Sequence, residues 1–213
     1  GTVKGGQDPF GPYEPVPDWP KDISTLCGNE GWTWGAIQGI FAESADRIFV
    51  IQRGVLPKID RPEIRFVEDQ GTRLLFPVGR NYAWRDNTMP WRDATQASPD
   101  HNNDHGWDLW GSAGYVRGVD ARWKHCVVVI DREGNIVETW DQWDSMWIKP
   151  HAVHVNPYDR DKHIWIVDDF AHAIYKFTND GTEIVQTLGV PNEPGQDESH
   201  FARPAFMAFS EDA

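Results

Sequence analysis

Two sequence phrases occur twice in the second half of the chain. Residues 150–155 are matched by residues 204–209, and residues 129–140, with a Glu-Gly turn, are matched by residues 176–188, with an Asp-Gly turn. The repeat length of about 50 residues is that of one four-stranded blade of a β-propeller. The repeat therefore predicts an all-β fold of antiparallel four-stranded sheets, with almost no helix outside short turns.

The composition permits a sizeable core and narrows the choice of partners. Hydrophobic residues make up 39% of the 213 positions, yet no apolar run is long enough to span a membrane. Acidic residues outnumber basic ones by 33 to 20, which gives a net charge of -13. This charge repels phosphate backbones and anionic lipid, so neither a nucleic acid nor a membrane is expected as a partner. The same charge is compatible with binding a hard cation.

The chain divides into an arm, a partial propeller and an insertion. Residues 1–33 carry five prolines and scattered glycines, which forbids a helix and predicts an extended arm laid over the surface. Residues 34–213 form the partial propeller, interrupted at about 58–123 by a loop-like insertion rich in Trp and Asp. Strands are predicted at residues 35–41, 47–52, 126–130, 136–140, 152–156, 163–168, 173–178, 182–188 and 204–209.

These strands make two blades and begin a third. The first blade is split by the insertion, the second is continuous, and residues 204–209 are expected to be the innermost strand of the third. Two blades and one strand cannot close a ring, so the chain is expected to be an N-terminal fragment whose remaining blades come from elsewhere. The open edge at residues 204–209 would expose unpaired backbone groups and favour self-association.

Several short motifs support a resemblance to a known family. They are Gly39-Ile40, Gln52-Arg53-Gly54, Pro150-His151-Ala152-Val153, Trp165-Ile166-Val167-Asp168, and residues 194–201 followed by Pro204. In order and local spacing, the chain resembles the opening blades of the NHL-repeat propellers related to peptidyl-hydroxyglycine amidating lyase. The resemblance covers roughly residues 34–57 and 124–209 and leaves out the arm and the insertion.

The resemblance implies a six-bladed propeller with zinc in its central channel on three histidines, one from each of three blades. His151, in a Pro-His phrase at the start of an innermost strand, matches the first of these ligands. Innermost strands converge on the axis, so one imidazole per blade can build a three-nitrogen site that leaves a position for substrate. The structural alternative for His151 is an imidazole hydrogen-bonded to a backbone carbonyl.

Four further positions acquire roles from the same resemblance. Arg53 matches a channel arginine that binds the substrate, and a planar guanidinium suits a carboxylate by bidentate pairing. Its alternative is a strand-end residue at the surface. The backbone carbonyls of Ile40 and Val153 match a structural calcium site, with both side chains expected in the core. Asp168 matches an aspartate at the end of a second strand, where a turn-stabilising hydrogen bond is the favoured role.

The chain also departs from the family pattern. Gln52 stands where the lyases usually have His, Val55 where they have Asp, and Ala202 where they have the Cys of a disulfide. Ala205 holds the position equivalent to His151, as expected of a blade that donates no zinc ligand. The family's catalytic tyrosine and its other two zinc histidines belong to later blades. The sequence therefore carries at most one zinc ligand and one arginine of such a site.

A loop within the insertion offers a separate candidate for metal binding. Asp100, His101, Asp104 and His105 bring four potential ligands within six residues. Carboxylates and imidazoles bind divalent metals, but this spacing fits no standard zinc pattern. A solvated loop is the favoured interpretation.

Two pairs of residues leave alternatives open. Asp141 and Asp144, with their neighbouring tryptophans, could line a glycan or peptide groove, or the rings could pack against the blades, which is favoured. Cys27 and Cys126 permit either one disulfide or two free thiols, since no spacing rule links residues this far apart.

Two classes of function follow. As an enzyme, the complete protein would be a zinc-dependent lyase acting on a hydroxyglycine-like carbinolamide in a small molecule or peptide, with Arg53 on the carboxylate and a tyrosine outside this chain as base. As a binding module, it would be a propeller scaffold for a protein, peptide or glycan, with the Trp-rich insertion as contact surface. Zinc and calcium are the expected cofactors. A secreted or periplasmic location is expected, because the polar residues 1–6 are compatible with a cleaved signal peptide.

Overall fold

The fold is all-β, as predicted. The computed structural model describes residues 16–58, 65–66, 75–76 and 122–211. Within these ranges the regular structure is antiparallel sheet, and helix is limited to 3-10 turns at Ile23–Thr25 and Asp141–Met146. The proposed ligand loop at residues 100–105 lies outside the described residues, so its role stays a prediction.

The strands form two pairs and two larger sheets. Strands β1 to β12 span, in chain order, Trp32–Trp34, Ile37–Ser44, Arg47–Gln52, Val55–Pro57, Arg65–Phe66, Leu75–Phe76, Val127–Ile130, Ile136–Thr139, Pro150–Val155, Ile164–Asp168, Ala173–Phe177 and Ile184–Leu188. β1 pairs with β4, and β5 pairs with β6. The other strands form two four-stranded sheets, β2-β3-β7-β8 (blade one) and β9-β10-β11-β12 (blade two). Both sheets are antiparallel throughout, as expected of propeller blades.

Blade two is a continuous meander. Its β-branched and aromatic residues alternate between two faces: Ile164 and Ile166 belong to the core against blade one, whereas Trp165 and Val167 pack on the opposite face. The turn from β11 to β12 contains Gly181, whose φ of 70° is readily adopted by a residue without a side chain. Local turn chemistry therefore accounts for this blade.

Blade one is assembled from two separate parts of the chain. β2 and β3 precede the insertion, and β7 and β8 follow it. β3 pairs with β7 in a register that runs from Ile48 opposite Ile130 to Ile51 opposite Val127. The insertion thus leaves from the second strand of the blade and returns at the third.

The main core lies between the two blades. Trp140 and Trp147, from the segment that joins the blades, fill this space: Trp140 is edge-on to Phe49 and Trp147 is edge-on to Tyr175, each with ring centroids 5.7 Å apart. Burying such a ring contributes roughly 2–3 kcal/mol. The other fully enclosed members of this core include Ile51, Val127, Val129, Val153, Ile164, Ile166, Ala173 and Phe177.

The outer face of each blade is covered by chain from outside the sheets. Trp19 and Trp34 pack against the apolar residues on the outer face of blade one. Phe201, Met207 and Phe209 do the same on blade two. The arm and the C-terminal segment therefore shield the two apolar faces that do not meet each other.

Residues 204–209 carry no strand pairing in the structure. Met207 and Phe209 lie against blade two, but a strand also needs a neighbouring ladder for its backbone groups. No described residue supplies such a ladder here. The third blade is thus represented by an unpaired segment beside blade two, not by the expected strand. None of the helices in the described ranges has the length and apolar character needed to cross a membrane.

Candidate functional site

The inner strands of the two blades meet at Gly39. A Cβ built on this glycine would lie 3.1 Å from Cα of Ala152 and 3.2 Å from N of Val153, so the close approach favours a residue without a side chain. The third residue of β2 therefore lies beside the third residue of β9. β3 is antiparallel to β2, so β3 ends beside the start of β2.

Arg53 and His151 each lie close in sequence to the strands that meet at Gly39. Arg53 directly follows β3 and is buried, with 8% of its surface exposed, which does not fit the alternative of a surface strand-end residue. Its backbone N donates to the Ala36 carbonyl oxygen at 3.1 Å. His151 is the second residue of β9. Arg53 thus lies beside the start of β2, and His151 precedes Ala152, the residue of β9 that approaches Gly39.

His151 is partly exposed and is held by the C-terminal segment. Its Nδ1 lies 3.2 Å from the Ala205 carbonyl oxygen, and its ring is edge-on to Phe206 with centroids 5.4 Å apart. The carbonyl hydrogen bond of the structural alternative is therefore present. Nε2 has no hydrogen-bond partner within the described part of the chain, so this nitrogen is available to a ligand.

Ile40 and Val153 lie on the two inner strands at their point of closest approach. Both strands are edges of their sheets, and alternate residues of an edge strand turn their carbonyl oxygens away from the sheet. Val153 is buried, but the side chain of Ile40 is 57% exposed, which corrects the expectation that both are core residues. Ile40 lies on the inner edge strand of blade one and is not among the apolar residues that pack with Trp19 and Trp34.

Gln52, the last residue of β3, is a buried bridge. Its Oε1 accepts from the Gly35 backbone N at 2.9 Å, and its Nε2 donates to the His125 carbonyl oxygen at 2.8 Å. The residue that departs from the family pattern thus uses one acceptor and one donor, a combination that a neutral histidine also offers. A lone Gln at a strand end gives no sequence signal for this role.

Asp168, the last residue of β10, stabilises the chain on both sides of its own strand pair, before β9 and after β10. It is fully buried, and its carboxylate accepts hydrogen bonds from the backbone N–H groups of Ile148, Lys149, Phe170 and Ala171. Burial raises the pKa of Asp168, and the donated N–H groups act in the opposite direction. The predicted turn-stabilising role is confirmed.

Asp141 and Asp144 are bound to the chain that leads into β7. Asp144 accepts from the backbone N of His125 at 2.8 Å and of Cys126 at 2.9 Å. The His125 ring lies between Asp141, at 2.6 Å from Nδ1, and Asn29, at 3.0 Å from Nε2. Burial raises the pKa of Asp144. These contacts, with the buried Trp140 and Trp147, confirm the packing interpretation over an open groove.

No disulfide joins Cys27 to Cys126. Cys27 is exposed, whereas Cys126 is buried at the head of β7. Two residues beyond Cys27, Asn29 contacts His125, the neighbour of Cys126. The two segments therefore approach each other without a disulfide, and the alternative of two separate thiols holds.

A group of possible metal ligands occurs in the turn between β9 and β10. Ligand atoms of Asp159, Asp161 and His163 all lie within 4.8 Å of one another. Asp159 already accepts from the backbone N of Asp161 and from both N and Nδ1 of His163. These hydrogen bonds stabilise the turn, and the group lies apart in sequence from His151.

The described residues near Gly39 do not complete a site for zinc or for calcium. His151 offers Nε2, but in the described ranges no further His, Cys, Asp or Glu groups with it into a metal site, whereas catalytic zinc usually has three protein ligands. Ile40 and Val153 lie on edge strands of their sheets, and calcium binding by their backbone oxygens stays a prediction. A complete zinc site therefore requires ligands from outside the described residues.

Comparison with curated proteins gives distant similarity to amidating enzymes. The chain is 26% identical over 82 residues to a probable peptidyl-alpha-hydroxyglycine alpha-amidating lyase of Caenorhabditis elegans, covering 38% of this chain and 22% of the relative. It is 26% identical over 113 residues to peptidyl-glycine alpha-amidating monooxygenase B of Xenopus laevis, covering 51% of this chain and 12% of the relative. No family model matches the chain. The aligned part is thus less than a quarter of either relative, and the similarity to amidating enzymes is distant.

Proposed function

We propose that this chain is the N-terminal portion of an NHL-type, six-bladed propeller with peptidyl-hydroxyglycine amidating lyase activity. The observation that carries the proposal is the close approach of β2 to β9 at Gly39, which lies next to His151 and three residues after Ala36, the hydrogen-bond partner of Arg53. The similarity to two amidating enzymes supports it. Further blades, supplied by sequence outside this chain, would provide the remaining ligands and the tyrosine base.

The substrate in this proposal is a peptide or small molecule that ends in a hydroxyglycine-like carbinolamide. Arg53 binds its carboxylate through paired N–H donors, which orients the carbinol carbon towards His151. Loss of the hydroxyl proton and cleavage of the C–N bond leave an aldehyde, and the departing amide nitrogen takes up a proton. The products are a primary amide and glyoxylate.

The metals have separate roles in the proposal. His151 would hold zinc together with imidazoles of other blades, and zinc when bound supplies a Lewis acid that polarises the hydroxyl oxygen. The carbonyl oxygens of Ile40 and Val153 would hold calcium, which would tie blade one to blade two at the Gly39 contact. A secreted or periplasmic location is proposed with this activity, with no nucleic-acid or membrane partner.

Glyoxylate release from a peptidyl-hydroxyglycine tests the proposal. In a protein that extends this chain through the further blades, Arg53→Ala should lower kcat/KM at least about 100-fold, and His151→Ala should do the same. The exposed Arg160→Ala is the matched control and should leave the rate unchanged. The 213-residue chain alone should be inactive, because one imidazole does not make a zinc site.

A full-length protein that is folded but inactive, or indifferent to His151→Ala, would contradict the lyase. That result would favour the non-catalytic alternative, in which the propeller binds a protein, peptide or glycan through the Trp-rich insertion. Full activity in the 213-residue chain would contradict the requirement for further blades.

A further inference from the structure

The hydrogen bond to Ala205 determines which nitrogen of His151 carries the proton. The two atoms, Nδ1 of His151 and the carbonyl oxygen of Ala205, are 3.2 Å apart. A carbonyl oxygen can only accept, so Nδ1 must donate. The neutral imidazole then has its lone pair on Nε2, the nitrogen without a hydrogen-bond partner in the described ranges.

The segment that carries Ala205 is itself anchored to blade two by Arg203. The backbone N of Arg203 donates to Nδ1 of His172 at 3.1 Å. Its guanidinium donates to Asp169 at 3.0 Å and lies over the Phe170 ring, 4.1 Å from the centroid. The Asp169 side chain is only 8% exposed, so solvent screens this pair less than it screens a surface salt bridge.

Apolar contacts hold the same segment on both sides of Ala205. Phe201, Met207 and Phe209 pack against the outer face of blade two, and the Phe209 ring centroid lies 5.9 Å from that of Trp165. We call residues 201–209 the strap. Although the strap has no strand pairing, polar and apolar contacts fix it beside β9.

We infer that the strap is a positioning element for His151: the Ala205 carbonyl holds the imidazole in the tautomer with the proton on Nδ1 and presents Nε2 to a cation. Histidines that bind metals commonly donate their other ring N–H to a carbonyl or carboxylate, which sets the tautomer and the ring orientation. The identity of the cation rests on the proposed function, but the tautomer does not. The strap thus explains how a histidine with a structural hydrogen bond can also be a ligand.

Long-range proton–nitrogen correlation spectra of isotope-labelled histidines in the whole chain test this inference. The chain has 8 histidines, and the signal lost in His151→Gln identifies the one of interest. At about pH 8, where imidazoles are ordinarily neutral, His151 should show the Nδ1–H tautomer in about tenfold excess. A predominant Nε2–H tautomer in the unmodified chain would overturn the inference.

Loosening the strap should change this preference. Arg203→Ala removes the bond to Asp169, and the Nδ1–H excess of His151 should fall towards a mixture. Arg160→Ala, at an exposed turn of the same blade, is the matched control and should leave the spectrum unchanged. A folded Arg203→Ala chain with the full Nδ1–H excess would contradict the positioning role. If that variant fails to fold, the spectrum of the unmodified chain still decides.

Adding zinc chloride to a labelled protein that extends this chain through the further blades separates this inference from the proposed function. A shift of the His151 Nε2 signal, with Nδ1 still protonated, supports both. An Nδ1–H tautomer that zinc leaves untouched supports the strap and contradicts zinc as the cation. An Nε2–H tautomer contradicts the strap whatever zinc does.

Discussion

The two blades differ in the residue that ends their second strand. It is Gln52 in blade one and Asp168 in blade two, and both side chains are fully buried. Each binds the backbone that leads into the innermost strand of its own blade: Gln52 accepts from N of Gly35, and Asp168 accepts from N of Lys149. The two residues therefore fix equivalent backbone segments, one with an amide side chain and the other with a carboxylate.

The difference follows from what else lies beside each side chain. Gln52 also faces the His125 carbonyl, which only accepts, so its side chain must donate. Asp168 also faces the N–H groups of Phe170 and Ala171, which only donate. In blade one the third strand returns from the insertion and presents a carbonyl, whereas in blade two a direct turn presents N–H groups. Chain connectivity thus selects an amide in one blade and a carboxylate in the other.

Exchanging these side-chain types should have the largest effect on stability. In Asp168→Asn the amide turns donors towards N–H groups, and each buried donor left unpaired costs about 1–3 kcal/mol. We expect urea unfolding to show a loss of about 3–4 kcal/mol, and about 2 kcal/mol for the reciprocal Gln52→Glu. The exposed Asp161→Asn should change stability by less than about 0.5 kcal/mol. If both variants were as stable as the unmodified chain, the explanation that connectivity selects the side-chain type would be wrong.

The outer turns of the blades offer a second comparison. Gly134 of blade one and Gly181 of blade two both have positive φ, and each contacts a tryptophan that comes from the chain segment preceding its blade. The ring is Trp19 on Gly134 and Trp140 on Gly181. The arm thus occupies on blade one the place that the joining segment occupies on blade two.

Gly181→Ala should destabilise the chain more than Gly134→Ala, because the tryptophan lies closer to Gly181. A Cβ on Gly181 would lie 2.2 Å from Cε2 of Trp140, whereas one on Gly134 would lie 2.9 Å from Cδ1 of Trp19. Strain and overpacking should cost about 2–3 kcal/mol for Gly181→Ala and about 1–2 kcal/mol for Gly134→Ala. Thermal unfolding of both variants measures this. The reverse order would show that the arm packs more rigidly than the joining segment.

Two arginines of blade one differ in the partners they bind. Arg47 binds a residue of blade two, whereas Arg132 binds a residue of its own blade. Arg47 of blade one donates to Glu43, to Glu138 and to the carbonyl oxygen of Asn179 in blade two. Arg132 pairs with Asp46 at the surface, where both side chains are 58% exposed. Arg47→Ala should destabilise the chain by about 1–2 kcal/mol in urea unfolding, whereas Arg132→Ala should leave the stability unchanged. Equal effects of the two substitutions would show that the hydrogen bonds of Arg47 do not stabilise the contact between the blades.

A tyrosine in the core between the blades should report on that contact through pH. Burial, with a contribution from the nearby Asp168, raises the pKa of Tyr175 to about 12. Above pH of about 10 the unfolded chain loses this proton and the folded chain keeps it, so stability should fall as pH rises from about 10 to about 12. Ultraviolet titration should show one late tyrosine that Tyr175→Phe removes. If Tyr175 ionised near pH 10, as an exposed tyrosine does, its side chain would be accessible to solvent and the core between the blades would not be closed.

The strands of blade two are predicted from the sequence to within two residues at each end, because the apolar alternation and the Asp-Gly turn are local signals. The roles of Gln52, Asp144 and His125 are not predicted, since each depends on contact with a distant segment. The Gln52–His125 bond, for example, joins residues 73 positions apart. The exposure of Ile40 is also missed, because it depends on which distant parts of the chain pack against β2.

The proposed function requires His151 to bind zinc. Elemental analysis after equilibrium dialysis measures this in a protein that extends the chain through the further blades. We expect one zinc per chain, none in His151→Ala, and an unchanged content in His154→Ala, which alters the same strand. Zinc retained in full by His151→Ala would show that His151 is not a ligand.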